Sequence, residues 1–298
     1  MSDNTPAVSI VFPVYNAIPF LEQAVASIFS QTLTDWELIA VDDASTDGSW
    51  QFLQRIADPR VRIVRNEHNC GTPITSNRAI DMARGKWIAK MDADDIILPR
   101  RLELQVQALE ADPHIDLLGT GSFVVDRDLN PVEVRRPPTR HAEIVGRPTI
   151  NFPLTFGALM GKAGWWRRWR NDPRVGAAGH EFDLYFRSHR ESLFSNVPEP
   201  LYVYRYVGHT RTWRKMTIGA FNRFMTLLRN GFRMGMPLTT LLGLATMVPR
   251  PLLYAIKLAI GSRTALAGGS TPLSEDDRRI LKEGLEQVSQ VELPLKRW

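Results

Sequence analysis

Val8-Ser9-Ile10-Val11-Phe12 runs into Pro13-Val14-Tyr15-Asn16, and Leu38-Ile39-Ala40-Val41 runs into Asp42-Asp43. Each is a short apolar run stopped by a turn former or a charge pair, the pattern of a strand buried on both faces of a parallel sheet. Between them Phe20, Leu21, Ala24, Val25, Ile28 and Phe29 recur at helical spacing. The unit is therefore strand, helix, strand, with a right-handed crossover expected. The pattern repeats further along. Ser45-Thr46-Asp47 supplies N-cap chemistry for a helix over 47–57, and Val61-Arg62-Ile63-Val64 makes a third strand. A helix over 73–84 stops at Gly85, and Trp87-Ile88-Ala89 is a fourth strand. After a helix over 100–111 and a strand near 115–125, the alternation gives way to loops rich in Pro, Arg and Trp. The fold class is α/β.

Ligands of open α/β sheets sit beyond the carboxyl ends of the strands. Three such ends carry Pro13 to Asn16, Asp42-Asp43 and Asp92-Ala93-Asp94-Asp95, and they are expected to converge on one crevice. The last of them, Lys90-Met91-Asp92-Ala93-Asp94-Asp95, packs three carboxylates into four positions. At ~4 Å and an effective dielectric of ~20, two like charges repel by about 4 kcal/mol, so the cluster calls for a cation. Asp-x-Asp at a strand end is a hard-ligand pair for Mg²⁺ or Mn²⁺, which brings a bound diphosphate within reach. A helix–loop–helix calcium loop is excluded. Counted from Asp92, its fifth and sixth positions fall on Ile96 and Ile97, where an oxygen ligand and a glycine are needed. A phosphotransferase of the haloacid dehalogenase type is a closer rival, since Asp92-Ala93-Asp94-Asp95-Ile96 approaches its motif. That family has the motif on an early strand and an acidic pair well downstream, whereas Asp276-Asp277 here sits at a helix start in the tail.

At 298 residues, with 44% hydrophobic and 23% charged residues, the chain is expected to form one large domain, or a domain with an appendage. The single Cys70 excludes an intrachain disulfide or a multi-cysteine zinc site and fits a reducing compartment. Met1-Ser2-Asp3-Asn4-Thr5-Pro6 lacks the basic and apolar regions of a signal peptide, so none is expected. Charge is unevenly spread. Residues 1–139 hold 13 Lys/Arg against 20 Asp/Glu, a balance of −7; residues 140–262 hold 18 against 6, or +12; residues 263–298 hold 6 against 6. The basic middle segment suits an anionic partner, such as a phosphorylated substrate or an anionic membrane surface. No nucleic-acid motif accompanies it, and no nucleic acid is expected.

Several ordered motifs then carry a resemblance. Val8 to Asn16, Gln31-Thr32, Glu37 to Ser49, Asn69-Cys70-Gly71, Asn77-Arg78-Ala79-Ile80, Ala83 to Ala89, Met91 to Asp95 and Pro99-Arg100-Arg101-Leu102 together resemble the family 2 inverting glycosyltransferases, over about residues 7–125. The resemblance implies a GT-A type fold, a Rossmann-like mixed sheet flanked by helices. It also implies a nucleotide-sugar donor, a UDP-sugar foremost, with Mn²⁺ or Mg²⁺. By position it sets Pro13 and Tyr15 along the base and ribose, Asp43 on the base, Arg78 among the donor contacts, and Asp92 and Asp94 at the corner of metal and ribose-phosphate. These residue types suit the roles, since a Tyr offers a stacking face and a carboxylate accepts from a base N–H. Asp42 is read as a turn or capping residue, and Asp95 as a cap for the helix that follows.

An inverting transfer needs a base for the acceptor hydroxyl. Gly179-His180-Glu181-Phe182-Asp183-Leu184-Tyr185-Phe186-Arg187 resembles the family stretch Glu-Asp-x-Asp-Leu-Trp-x-Arg, whose first Asp is the usual base. Glu181 stands at that position and is expected as the base, with Asp183 next and His180 as a partner or acceptor contact. The alternative is that Asp183 caps a helix and Glu181 faces solvent. Asn151 to Phe156 matches a family segment loosely, without its histidine near Thr155 and with Lys162 where Arg is common. Pro198 to Arg205 resembles the closing strand, beyond which His209 could reach the metal or diphosphate. Trp165-Trp166-Arg167-Arg168-Trp169-Arg170 reads as an acceptor-facing or membrane-facing surface, or else as a helix with its Trp residues in the core.

Ile218, Phe221, Phe224, Met225, Leu228 and Phe232 form one helical stripe beside Arg223, Arg229 and Arg233, as in an interfacial basic helix. Leu238 to Ile260 is apolar but broken by Pro249-Arg250-Pro251, which argues against a spanning helix. Ser274-Glu275-Asp276-Asp277 opens a capped tail helix. The expected layout is a catalytic domain over 1–213, with a nucleotide-sugar half (7–125) and an acceptor half (126–213), followed by a helical region over 214–298 at a membrane surface. The expected activity is transfer of a sugar to a glycan or lipid-linked acceptor in cell-surface polysaccharide synthesis, in the cytoplasm at the inner face of the membrane. A non-catalytic nucleotide-sugar binder is the competing reading, motivated by the departures at Glu181 and Thr155.

Overall fold

The structure, a computed structural model, describes residues 5–206, 213–245 and 270–296. Its first half alternates β1 (Val8–Val14), α1 (Ile18–Phe29), β2 (Trp36–Asp42), α2 (Ser49–Arg55), β3 (Val61–Arg65), α3 (Thr72–Met82) and β4 (Trp87–Lys90). Strands pair in the order β3-β2-β1-β4, all parallel. The helix expected over 47–57 is shorter. Gly48 at φ 97° precedes it, Ile56 turns extended, and Asp47 accepts from the Ser49 N–H at 3.0 Å. The helix expected over 73–84 ends at Met82, because the Arg84 and Gly85 amides turn to donate to Ser9 Oγ at 3.2 and 2.8 Å. A Cβ on Gly85 would lie 2.7 Å from the Ser9 nitrogen, so only glycine allows this crossing.

The chain continues through β5 (Ile96–Ile97), α4 (Arg101–Ala111), β6 (Leu117–Val125), β7 (Pro131–Arg135), α5 (His141–Ile144), β8 (Met160–Lys162), α6 (Ala163–Arg168), α7 (His180–Ser188) and β9 (Phe194–Arg205). β8 is antiparallel to both β4 and β6, while β6 runs parallel to β9 and antiparallel to β7. The parallel half thus passes into a mixed half at β4, giving the expected mixed sheet with helices on both faces. Side chains alternate across the pleat. Val8, Ile10, Phe12, Leu38 and Ala40 face the core under α1, α2 and α4, whereas Val11, Ile39 and Val41 face α3, α6 and α7. Trp165 and Trp166 belong to the second core. Trp166 is fully buried with its indole N–H on the Ile88 carbonyl at 3.1 Å, so this pair is core and not an acceptor or membrane surface.

The C-terminal part is helical, with α8 (Trp213–Thr226), a π-helical turn (Leu227–Gly231), α9 (Pro237–Ala245) and, after β10 (Ser270–Thr271) pairs with β7, α10 (Glu275–Ser289). Ser274 and Asp277 form the expected capping box, an arrangement in which the cap residue is worth about 1 kcal/mol. α10 buries Leu281 and Val288 against Ile96, Leu98 and Phe123. Beyond it the Pro294 carbonyl accepts from Ala57 N–H at 2.7 Å, and Lys296 N–H donates to Arg55 at 2.8 Å. The region read as one appendage over 214–298 is therefore two things physically: α10 and the tail pack on β5, β6 and the end of α2, while α8 lies on α7. His209 and the proline-broken stretch near 249–251 lie outside the described residues. No helix among the described residues is long and apolar enough to cross a membrane.

Candidate active site

The carboxyl ends of β1 and β2 are laced together. Asn16 N–H donates to Ser45 Oγ at 3.0 Å, and its side-chain oxygen accepts from Thr46 N–H at 2.8 Å. Asn16 and Ala44 hold positive φ, 48° and 59°. The left-handed region costs an L-residue such as alanine roughly 1–2 kcal/mol, strain of the kind found at binding sites. Pro13 is half-buried in β1, and Tyr15 just past it is 51% exposed, open to a planar ligand. Asp42 plays a turn role, accepting from Ser45 N–H at 3.1 Å and pairing with Arg65 at 3.0 Å. Asp43 is buried and accepts from Asn66 Nδ2 (2.7 Å), Cys70 N–H (2.9 Å) and Gly71 N–H (2.8 Å). Its carboxylate thus sets the 66–71 loop. Arg78 joins the same network, donating to Asn66 Oδ1 at 2.6 Å and to the Arg65 carbonyl.

At the end of β4 the Asp92–Asp95 turn is clamped from β9. Tyr202 hydroxyl donates to Asp95 Oδ2 at 2.7 Å, and Arg205 N–H donates to Asp95 Oδ1 at 2.7 Å. Arg205 Nε reaches the Asp94 carbonyl at 2.9 Å, and its Nη2 reaches Gln23 on α1 at 2.8 Å. Asp95 is therefore a clamp residue and not the helix cap expected of it. Burial, with the Asp94 and Asp92 charges, pushes the Asp95 carboxyl well above the usual range, against the Arg205 and Tyr202 hydrogen bonds. Below the turn, buried Arg101 donates to the Lys90 and Leu159 carbonyls at 3.0 and 3.2 Å. A Cβ on Gly157 would stand 2.0 Å from Tyr202 Oη and 2.8 Å from Asp92 Oδ2. Only glycine lets that loop close under Asp92.

Glu181 lies in the first turn of α7, exposed, behind Gly179 at φ 104°. Asp183 is buried, its oxygens on Arg187 Nε (2.7 Å) and Thr226 Oγ1 (3.0 Å). Two unforeseen side chains link this helix to the Asp92–Asp95 turn. Lys90, fully buried with Nζ 3.0 Å from Ser76 Oγ, feels both Asp92 and Glu181; burial lowers its pKa and those two charges partly restore it. Tyr185, on α7, also feels both carboxylates, and burial together with them raises its phenol well above the ordinary value. Asp92 and Glu181 thus both act on one buried pair, Lys90 and Tyr185.

His180 is buried with Nδ1 on the Ala177 carbonyl at 2.9 Å and Nε2 without a hydrogen-bond partner among the described residues. Burial lowers its pKa to about 4, helped by the Lys90 charge and opposed by the Ala177 contact. The unfolded chain, near 6.5, binds the proton first, so this contribution is full above pH 6.5 and fades as pH falls towards 4, by roughly 3 kcal/mol. Thermal melts across that window should show the loss, and His180→Gln should flatten it; an unchanged slope in the variant would assign the loss to other groups.

A divalent ion fits this donor set in one particular way. No group of three or more His, Cys, Asp or Glu side chains among the described residues could enclose a metal. Asp92 and Asp94 instead offer two half-buried carboxylates just past the end of β4. Mg²⁺, and Mn²⁺ with its similar oxygen preference, are commonly held by one or two carboxylates with water and substrate phosphates filling the remaining positions.

The glycosyl transferase family 2 model matches residues 9–164, more than half of the chain. The chain belongs to that family, and the phosphotransferase alternative falls away. EpsE of Bacillus subtilis is 32% identical over 206 residues, 67% of this chain and 73% of EpsE. WfgD of Escherichia coli, a UDP-Glc:alpha-D-GlcNAc-diphosphoundecaprenol beta-1,3-glucosyltransferase, is 34% identical over 102 residues, 34% of this chain and 40% of WfgD. Among solved structures, S. aureus TarS 1-349 in complex with UDP superposes with a TM-score of 0.60 at 15% identity, covering 87% of this chain and 75% of that one. The mannosyltransferase PcManGT of Pyrobaculum calidifontis, in complex with GDP-Man and Mn²⁺, gives 0.54 at 19% identity, covering 95% and 86%. Both show the shared GT-A fold.

Tyr202, Arg205, Lys90 and Tyr185 escaped the sequence reading as site residues. Tyr202 and Arg205 stood inside a segment read only as a closing strand, and Lys90 stood inside the quoted acidic motif; nothing local announces their partners.

Proposed function

We propose that this family 2 glycosyltransferase transfers a sugar from a UDP-sugar to a lipid-linked or glycan acceptor, using Mn²⁺ or Mg²⁺, at the cytoplasmic inner face of the membrane, in polysaccharide synthesis. The observation that carries the reading is that Asp92, just past β4, and exposed Glu181, in the first turn of α7, both act on buried Lys90 and Tyr185, as expected if a donor-binding carboxylate faces a base across them. WfgD, with its UDP-Glc donor and diphosphoundecaprenol-linked acceptor, supports the choice of substrates, and the Mn²⁺ in PcManGT supports the metal.

In this proposal Tyr15 stacks on the base, and the loop set by Asp43 and Asn66 closes around it. Asp92 and Asp94 would hold the divalent ion, which when bound neutralises charge on the departing diphosphate. Glu181 takes the proton from the acceptor hydroxyl as its oxygen bonds to the anomeric carbon and the bond to the diphosphate oxygen breaks. Attack opposite the leaving group inverts the anomeric configuration. Asp183, occupied by Arg187 and Thr226, holds α7 in place.

Turnover against a panel of nucleotide sugars, with and without Mn²⁺, tests the reading. Metal-dependent release of nucleotide from a UDP-sugar is expected. A protein that binds nucleotide yet turns over no member of the panel would be the non-catalytic binder instead.

A further inference from the structure

α8 has two faces with different tasks. On the outside, Ile218, Phe221, Phe224, Leu228 and Phe232 are exposed along α8 and the turn after it, with Phe221 59% open to solvent. Leu241 and Leu242 are exposed on α9, which packs on that turn. Arg229 and Arg233 stand exposed in the same stretch, within a segment whose balance is +12. Exposed phenylalanine and leucine at helical spacing along α8, with more on α9, are the kind of apolar surface that marks an interaction site. Its composition, phenylalanine and leucine with arginine, matches a partner that is anionic at its surface and apolar beneath, which is the chemistry of an anionic lipid bilayer.

On the inside, α8 grips the start of α7. Asn222 Nδ2 donates to the Ala178 carbonyl at 2.6 Å and to the Val175 carbonyl. Its Cβ would be 3.2 Å from a Cβ on Gly179, the residue whose positive φ begins α7. Thr226 Oγ1 donates to Asp183 at 3.0 Å, and the Arg223 guanidinium lies 4.1 Å from the centre of the Phe182 ring.

We propose that the outer face of α8 and α9 docks on an anionic lipid bilayer, and that docking, passed through Asn222 and Thr226, fixes the first turn of α7 that carries Glu181. The coupling takes the role of Glu181 from the glycosyltransferase reading; the docking does not depend on it. A bilayer shifts α7 only if it binds best the placement of α8 that holds the 175–183 segment.

The test mixes the full chain with vesicles of phosphatidylcholine alone or of equimolar phosphatidylcholine and phosphatidylglycerol. Binding is expected to the anionic vesicles and about tenfold weaker to the neutral ones. Phe221→Glu with Phe232→Glu, both at exposed positions, should lower binding roughly a hundredfold, about tenfold per phenylalanine. Hydrogen exchange of the 177–184 amides should slow several-fold on anionic vesicles. Asn222→Ala should bind the vesicles equally and lose that slowing. Binding indifferent to lipid charge or to the glutamates overturns the docking, as does a dimer that the glutamates split, which would give the face to a second copy. Unchanged exchange in the bound protein, or slowing that survives Asn222→Ala, overturns the coupling. Donor turnover without vesicles is read separately; its absence defeats the enzyme reading and leaves the docking result standing.

Discussion

Asp94→Asn is expected to lower metal-dependent donor turnover by about a thousandfold, ~4 kcal/mol of transition-state stabilisation, the scale of a metal that neutralises a leaving diphosphate. The substitution keeps the shape of the side chain and removes its charge. The turn that presents it should survive, because its framework rests on other atoms: Tyr202 and Arg205 on Asp95, and Arg205 Nε on the Asp94 backbone carbonyl. A loss of turnover with an unchanged melting temperature therefore reports chemistry and not folding. The check is nucleotide release at saturating donor over a Mn²⁺ titration. A rate within a few-fold of the unaltered protein would remove Asp94 from the metal corner.

Glu181→Gln should cost transfer about a hundredfold to ten-thousandfold, the usual range for a general base, with the donor KM nearly unchanged. Glu181 is exposed and takes no part in the buried core of α7, which is held by Asp183 through Arg187 and Thr226. A glutamine is nearly isosteric and cannot take the acceptor proton. Separate kcat and KM values check this, and full transfer by the variant would eliminate Glu181 as the base. A fall in donor affinity of the same size as the fall in rate would place it in donor binding instead.

The parallel half of the sheet was legible because β1 and β2 are continuous apolar runs whose ends carry unusual polar groups, and such runs have few alternative structures. The acidic motif was legible as a strand end for the same reason. The roles of its members were less so. Asp95 looks like a helix cap from its neighbours, yet its partners Tyr202 and Arg205 lie more than 100 residues away on β9, a pairing set by the fold of the mixed half. The Asp43 carboxylate faces the 66–71 loop for a similar reason. Trp165 and Trp166 sit among arginines in sequence, but the helix turns the two rings inward and leaves Arg167 and Arg168 outside, a sorting that a short polar-aromatic run does not reveal. The tail shows the opposite case. Its capping box was local and readable, whereas its return to α2 through Pro294 and Lys296 rests on backbone contacts that no residue type encodes.

The central claim is that Asp92 and Asp94 form a metal-assisted nucleotide diphosphate site. Calorimetric titration of UDP into the unaltered protein in Mn²⁺, the same protein in EDTA, and Asp94→Asn in Mn²⁺ tests it most directly. The account predicts binding in the first case and an affinity lower by about tenfold or more in the other two, at least the scale seen when a metal site loses a supporting contact. Equal affinity under all three conditions would contradict it.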